Sequence, residues 1–429
     1  MVWFLAVVIL VGAFWMGRVF SRDSRAVRRY LYNRATNPAA LNGAVRGDAL
    51  GEYAGDGAGG GNWPWVTIIV PGRNEGHVLR ATLGSLCAMD YPNCRVVFVD
   101  DQSTDDTAAV CAELAAKYKH LEVIHNTEAP PAGWVGKVWA VHQARERLKE
   151  AQGDAGRGAD EYVLFVDSDL RFDAACLKQA VRLARHRGVD LLSFLPFCEC
   201  GTLGEKLGMM MVLQLIAMKY PLRKANDPRT TVSLVAGGFM LFRRTAYEAI
   251  GGHEAVRGHV IEDVALGQLT KSKGHRVFAT ATEDLVVGHM YEGWRDTFRG
   301  LRKNAYAGAH FNPIVGAGGA VALTVVGVLM PVYPVVGIWL WVTQPGLLTL
   351  TICAASIAAF WAMLRAMGRA GGFLRFPTWM AWLGPAAAGF FVVVLVASMV
   401  DYYRGGAQWS GRTYKPGEME TLKTAAQKE

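Results

Sequence analysis

A chain of 429 residues is long enough for one large domain or two moderate ones. Its 52% hydrophobic and 19% charged content falls below the about 25% charge usual in a soluble protein, which argues against a wholly soluble chain. A net charge of +8 alone would admit a nucleic-acid partner. The arginines, however, cluster beside apolar segments, so a membrane surface is favoured and nucleic acid is not. The seven cysteines form no CxxC pair and no Cys/His array of zinc spacing. Cys198 and Cys200 lie closest, and the set reads as reduced, packed thiols in a reducing compartment.

Residues 1–16 are nearly all apolar and precede Arg18, Arg22, Arg25, Arg28 and Arg29. A secretory signal places its charge first, so this order predicts an uncleaved anchor over residues 1–20, shallow or tilted because the span is short. Positive-inside logic puts the arginines and the chain beyond them in the cytosol. Residues 21–62 read as a basic juxtamembrane segment and a flexible linker containing Gly59-Gly60-Gly61. Residues 63–290 alternate short apolar runs with helical patterns. Strands are expected at 66–70, 96–100, 121–125, 162–167 and 191–194. That alternation predicts an α/β domain with a mixed, largely parallel sheet and functional groups at the C-terminal ends of strands.

The stretch 203–222, with Met209, Met210 and Met211, fits either an adaptable membrane-facing helix or a core helix. Residues 291–311 mix Trp294, Phe298, Leu301 and Tyr306 with Arg295, Arg299, Arg302 and Lys303, the pattern of an interfacial amphipathic helix. Residues 312–400 are strongly apolar, with candidate spans at 315–341, 347–364 and 379–400. Pro331 and Pro334 make the first either a kinked helix or a re-entrant pair. Arg365, Arg369 and Arg375 mark a cytosolic loop, and the tail 401–429, with Arg404, Arg412, Lys415 and Lys423, is also basic. Three full spans would put that tail outside, whereas its charge puts it inside. The two inferences conflict.

The chemistry concentrates at strand ends. The first strand runs into Pro71-Gly72-Arg73-Asn74-Glu75, and the second ends in Asp100-Asp101 before Gln102-Ser103-Thr104-Asp105. Asp167-Ser168-Asp169 closes the fourth. Each signal alone is weak, since a single Asp is commonly a helix cap, as Thr104 and Asp105 are expected to be. Glu262-Asp263 taken alone reads as an acidic first helical turn. Lys137, after Gly133-Trp134-Val135-Gly136, is either a phosphate-holding or a surface lysine. Gly237-Gly238 allows close approach of a ligand or tight strand packing. His253, His259 and His289 are not spaced as a metal site and read as ordinary polar residues, His289 being an acceptor-site candidate.

Taken in order, VPGRNE, VDDQSTDDT, DSD and IEDVAL resemble the motif set of family 2 glycosyltransferases. PAGWVGKVWAV (131–141), NDPRT (226–230), AGGFMLFRR (236–244), RGHVIEDVAL (257–266) and the ending YRGGAQWSGRTYKP (403–416) resemble its membrane-bound subgroup associated with hopanoid biosynthesis. The resemblance covers nearly the whole chain except the Gly-rich linker. It implies a GT-A fold, with Pro71, Arg73 and Glu75 lining a nucleotide pocket and Asp100 or Asp101 holding uracil or ribose. Asp167 and Asp169 would hold Mg²⁺ or Mn²⁺ on the diphosphate of a nucleotide-sugar donor, expected to be a UDP-sugar. The resemblance also makes Asp263, rather than Glu262, the base; by their residue types alone Lys137 is a candidate for holding the diphosphate, and Gly237 and Gly238 for lying beside the sugar or the acceptor. Hard oxygen ligands suit a cation on a diphosphate, and one carboxylate suffices for inverting displacement.

The family's processive members carry Q-x-x-R-W where this chain has Arg299-Gly300-Leu301-Arg302-Lys303, a departure that points to one or few sugars added. The implied acceptor is a membrane lipid such as a hopanoid or other polyisoprenoid, at a bacterial-type inner membrane with the catalytic domain cytosolic. A polyprenyl-phosphate acceptor is the alternative that Arg243, Arg244 and Arg257 keep open. A non-catalytic membrane scaffold is disfavoured by Asp101, Asp167, Asp169 and Asp263 occurring together.

Overall fold

A computed structural model describes residues 63–152, 161–259, 261–282, 284–309, 311–405, 407–409 and 412–414. The expected N-terminal anchor, the linker and the end of the tail lie outside these residues. The chain divides into two compact units, one holding described residues 63–198 and 222–289, the other 199–221 and 290–414.

The first unit is built on a seven-stranded sheet of order β3-β2-β1-β4-β8-β6-β9. Its strands are β1 (Val66–Gly72), β2 (Cys94–Asp101), β3 (Leu121–Asn126), β4 (Tyr162–Phe165), β6 (Leu191–Leu195), β8 (Met240–Arg243) and β9 (Val277–Ala281). Neighbours pair in parallel except β8, which runs antiparallel between β4 and β6. The sheet is therefore mixed and mostly parallel.

The central strands form because both faces are covered, while the edge strands β3 and β9 are only partly buried. Ile68, Val70, Val96 and Phe98 enter one apolar core, and Ile69, Val97 and Val99 enter the other. Each such side chain contributes about 1.5–3 kcal/mol by leaving water. Three helices follow the first three strands: α1 (Gly76–Cys87), α2 (Thr107–Lys117) and α3 (Gly136–Gln152). Further along lie α4 (Cys176–Arg187) and α6 (Glu262–Ser272). A small second sheet pairs β5 (Leu170–Phe172), β10 (Val286–Gly288) and β7 (Phe197–Cys198) just beyond the Asp167-Ser168-Asp169 turn.

The second unit is helical. Its α5 (Leu203–Lys219) opens with a capping box in which Thr202 and Glu205 satisfy each other's end groups. Glu205 also accepts the Gly293 N–H at 2.6 Å, fastening the start of α7 (Gly293–Ala305). Met209, Met210 and Met211 are buried, so this helix takes the core reading at its methionines.

The expected span 315–341 is not continuous. It consists of α8 (Pro313–Ala322), a π-helical stretch to Val328, a break, and the short α9 (Val332–Thr343), with Pro331 at its cap. Among the described residues two helices are long and apolar enough to cross a membrane: α10 (Leu347–Phe373), and Thr378–Arg404, which includes most of α11 (Gly384–Gly405). Each of these spans has 27 residues, about 40 Å of helix against the roughly 30 Å hydrocarbon core. A third is counted only if residues 293–309 and 313–328, bent by 116°, act together.

Candidate active site

Because β1 to β4 run parallel, their C-terminal ends bring the acidic motifs to one edge of the sheet. The loops after β1 and β2 are laced together there. Asn74, in left-handed backbone at φ 58°, donates its N–H to Ser103 Oγ (2.9 Å) and accepts the Thr104 N–H at 2.7 Å. Asp105 accepts the N–H of Gly76 (3.2 Å) and of Thr107 (3.1 Å), capping the first residues of both α1 and α2. Those bonds, the one with Thr107 first, hold its carboxyl below the usual range. Thr104, expected as a cap, bonds Asn74 instead.

On this frame the two aspartates of β2 part company. Asp100 accepts the Ser103 N–H at 3.0 Å with one oxygen, and its other oxygen lies 3.0 Å from His125 Nδ1. Both of its oxygens therefore have protein partners. Asp101 faces the other side of the sheet, 5% exposed, in register with Asn126 at the end of β3. Asn126 is 3% exposed, and its amide nitrogen and oxygen both lack a hydrogen-bond partner among the described residues. Arg73, just past β1, likewise has a buried Nη1 without a partner there. Pro71 is buried within β1, opposite Val99.

The Asp167-Ser168-Asp169 turn is held by Thr82 of α1, whose hydroxyl donates to the Ser168 carbonyl at 2.6 Å. Lys137, at the start of α3, places Nζ 2.6 Å from Asp167 Oδ1 and 2.7 Å from Glu262 Oε1. Burial works against its charge, but the two carboxylates outweigh it and hold the pKa well above the ordinary lysine value. Asp263, beside Glu262 on the first turn of α6, accepts the N–H of Gly237 (2.8 Å) and of Val264 (2.7 Å). Burial, then the charge of Glu262, pushes its carboxyl up to about 7.

Gly237 marks where these groups converge. A Cβ on it would lie 3.4 Å from Lys137 Nζ and 3.5 Å from both Asp167 Oδ2 and Asp263 Oδ2. Gly238 serves packing instead: its Cβ would come within 2.6 Å of Leu170 and 2.9 Å of Pro196.

The carboxylates suit a divalent cation completed by its ligand. Burial and the charges of Asp169, Asp105 and Asp167 raise Glu75 to about 7. Withdrawal of water by the surrounding protein and the charge of Asp167 raise Asp169 to about 6. Such mutual repulsion is what a bound cation relieves. Among the described residues no group of three or more His, Cys, Asp or Glu side chains is arranged to hold a metal alone.

The chain matches a model of glycosyl transferase family 2 over residues 67–251 and one of glycosyl transferase family group 2 over residues 162–395, the latter more than half its length. This chain is a family 2 glycosyltransferase. The 4,4'-diaponeurosporenoate glycosyltransferase of Staphylococcus aureus strain USA300 is 28% identical over 253 residues, covering 57% of this chain and 61% of the relative. Its counterpart in strain MRSA252 is 27% identical over the same shares. The chain thus matches about three-fifths of the length of these relatives. Among solved structures, the mannosyltransferase PcManGT from Pyrobaculum calidifontis, in complex with GDP-Man and Mn²⁺, superposes at a TM-score of 0.50 with 17% identity, over 94% of this chain and 99% of that one. The glycosyltransferase therefore has the mixed α/β GT-A fold.

Several residues of the glycosyltransferase stand elsewhere than their chemistry alone suggests. Arg243 pairs in register with Tyr162, so it sits at the end of the sheet opposite the acidic motifs. There Arg244 bonds Glu161, and Arg243 faces Asp190. His253 is a core histidine 2.7 Å from the Tyr247 hydroxyl, pushed down to about 3 by burial and then by the Lys137, His142 and Arg145 charges. His289 is exposed. Two features escape a reading of the sequence. The Lys137–Glu262 pair links residues 125 positions apart. The orphaned Asn126 amide is visible only once β2 and β3 are aligned.

Proposed function

We propose that this glycosyltransferase transfers one sugar, with inversion, from a nucleoside diphosphate sugar to a hydroxyl of a membrane lipid. The observation that carries the reading is the convergence on Gly237 of Lys137, Asp167 and Asp263, a cation and two carboxylates around a point left open by a missing side chain. Asp101 and the unpaired Asn126 amide read the nucleobase edge, and a uridine donor agrees with the motif resemblance. Asp100, occupied by Ser103 and His125, shapes the loop. Arg73, Glu75 and Lys137 line the phosphate side. A bound Mg²⁺ or Mn²⁺, held by Asp167 and Asp169, supplies charge neutralisation for the departing diphosphate.

Asp263 takes the acceptor's proton as the acceptor oxygen bonds to the sugar's anomeric carbon and the bond from that carbon to the diphosphate breaks. A carboxyl raised to about 7 is a stronger base than an ordinary aspartate and is half ionised near neutrality. Glu262, paired with Lys137, is its charged neighbour. The acceptor is a polyisoprenoid-type lipid, with a hopanoid suggested by the motifs. The Staphylococcus aureus relatives, named for 4,4'-diaponeurosporenoate, support a lipid-like acceptor. With Arg243 and Arg244 engaged at the far end of the sheet, a phosphate acceptor loses two of the three arginines behind it.

Residues 63–290 carry the donor site, 291–311 the interfacial helix and 312–400 the spans, in the cytoplasmic membrane with the catalytic part in the cytosol. Two crossings by the long helices among the described residues would return the basic tail to that same side, in agreement with its charge. The test is donor hydrolysis and transfer by the purified protein across a panel of nucleotide sugars with Mn²⁺. Asp263→Asn is expected to retain donor binding and lose transfer by roughly 10²–10⁴-fold. Unchanged transfer removes Asp263 as base, and absence of turnover with every donor removes the reading.

A further inference from the structure

The face of α6 that carries Asp263 continues along the helix through Gly267 and Lys271, each four residues on. All three touch one segment, the chain between the short helix Leu222–Ala225 and Gly237. Asp263 accepts the Gly237 N–H. Gly267 lets the segment approach so closely that a Cβ there would fall 2.3 Å from Ser233 Oγ and 2.5 Å from Val235 Cγ2. Lys271, only 8% exposed, sends its Nζ into a ring of oxygens: the carbonyls of Val232 (2.6 Å), Ala225 (2.8 Å), Asp227 (3.0 Å) and Lys224 (3.4 Å), and Thr230 Oγ1 (3.4 Å).

Five oxygens surround a group with three protons. The arrangement is less a set of paired hydrogen bonds than the coordination sphere of a monovalent cation. No carboxylate belongs to it. The oxygens are main-chain dipoles and one hydroxyl, turned inward by the course of the loop. The Lys224 and Asp227 carbonyls also accept bonds within the loop, from the Asp227 N–H (3.1 Å) and the Thr230 N–H (3.2 Å), whereas those of Ala225 and Val232, the two nearest to Nζ, would lose their donor without a cation. The loop's outer side is fixed separately, by two 2.8 Å bonds between the Asn226 amide and the main chain of Ala279 on β9.

We propose that Lys271 is a positioning residue for Asp263: its ammonium fills a carbonyl cage as a built-in monovalent cation, and thereby holds the segment that ends in the Gly237 N–H. The proposal rests on the reading of Asp263 as the base. Lys271 touches neither donor nor acceptor. It acts through residues 232–237, whose far end both orients the base and leaves the opening beside Lys137 and Asp167.

The experiment uses the full chain with two substitutions. Lys271→Ala empties the cage, whereas Lys271→Met fills it without charge. Melting and transfer are measured in choline, potassium and ammonium chloride. Lys271→Ala is expected to melt below the wild type in choline and to lose roughly tenfold or more in kcat, with donor KM within about twofold, because the base is displaced while the nucleotide site is not. Potassium or ammonium should restore both its melting temperature and its kcat. Lys271→Met should show the same loss in kcat with no response to either cation. Retained kcat in both variants, a loss that no cation restores, or a change confined to donor KM overturns the proposal. Should the wild type turn over no donor, the function reading fails by itself. Melting then decides the cage: cation-selective stabilisation of Lys271→Ala supports it, and indifference to potassium and ammonium overturns it.

Discussion

Replacing Lys137 by methionine removes the positive charge shared by Asp167 and Glu262 while keeping most of the side chain's volume. Its effect on the base can be worked out. A point one Cβ beyond Gly237 is 3.4 Å from Lys137 Nζ and 3.5 Å from Asp263 Oδ2, so the two charged atoms lie within about 7 Å of each other. At an effective dielectric near 20, a unit charge at about 7 Å is worth about 2.4 kcal/mol, equivalent to about 1.7 pH units. Lys137 is about one-third exposed, and solvent screening reduces that figure to about one unit.

The sign comes from the chemistry. Lys137 favours the ionised form of Asp263, so its loss raises the aspartate's pKa above its present value of about 7. The base works ionised, so the rate rises with pH through this value. The rising limb of the kcat profile should therefore move to higher pH by about one unit, with an approximately tenfold deficit below the limb and partial recovery above it. The assay is transfer at saturating donor over pH 5.5–9 for the wild type and Lys137→Met. A variant that transfers normally with an unmoved limb refutes the electrostatic link between Lys137 and Asp263.

The paired glycines should separate by mechanism. Gly238→Ala forces a methyl onto Leu170 and Pro196 and is expected to cost about 1–3 kcal/mol of stability by overpacking, read by melting. Gly237→Ala should leave melting nearly unchanged but fill the opening beside Lys137, Asp167 and Asp263, reducing transfer. Asn126→Leu removes a buried amide that lacks partners, so it should leave the free protein as stable or more so while weakening nucleotide binding about tenfold, measurable by calorimetry. Chelation of divalent cations should abolish transfer, and Asp167→Asn combined with Asp169→Asn should remove the thermal stabilisation that donor and Mn²⁺ give together. Persistence of that stabilisation would move the metal elsewhere.

How much was legible in the sequence depended on range. β1, β2 and β4 announce themselves because strands covered on both faces read as nearly continuous apolar runs, β3 shows instead the mixed apolar and polar positions of a half-covered edge strand, and the parallel order places each acidic motif at the same edge. β8 is four residues long, and β5, β7 and β10 are three or fewer, too short for periodicity to speak. β4 stops at Phe165 rather than 167, because the chain leaves the ladder to make the turn that presents Asp167. Residue type placed Arg243 and Arg244 among acceptor-site candidates, but a side chain's charge does not say which end of a strand it occupies; only the antiparallel course of β8 decides that. The pairing of Glu262 with Lys137, and so the difference between Glu262 and Asp263, arises where α3 and α6 meet. In the apolar region the proline at 331 was visible, yet whether it bent or ended a span was a question of backbone geometry.

The double duty of Asp105 has a consequence for anion selectivity. The first turn of a helix offers unpaired N–H groups and a partial positive charge, a natural dock for phosphate. Both α1 and α2 begin beside the donor edge, and both would compete for a diphosphate. One carboxylate, kept ionised by its bonds, already occupies the Gly76 and Thr107 N–H groups. The protein has thus placed its own anion where a stray phosphate would settle, and free inorganic phosphate should be a poor competitor of the nucleotide at these helix ends.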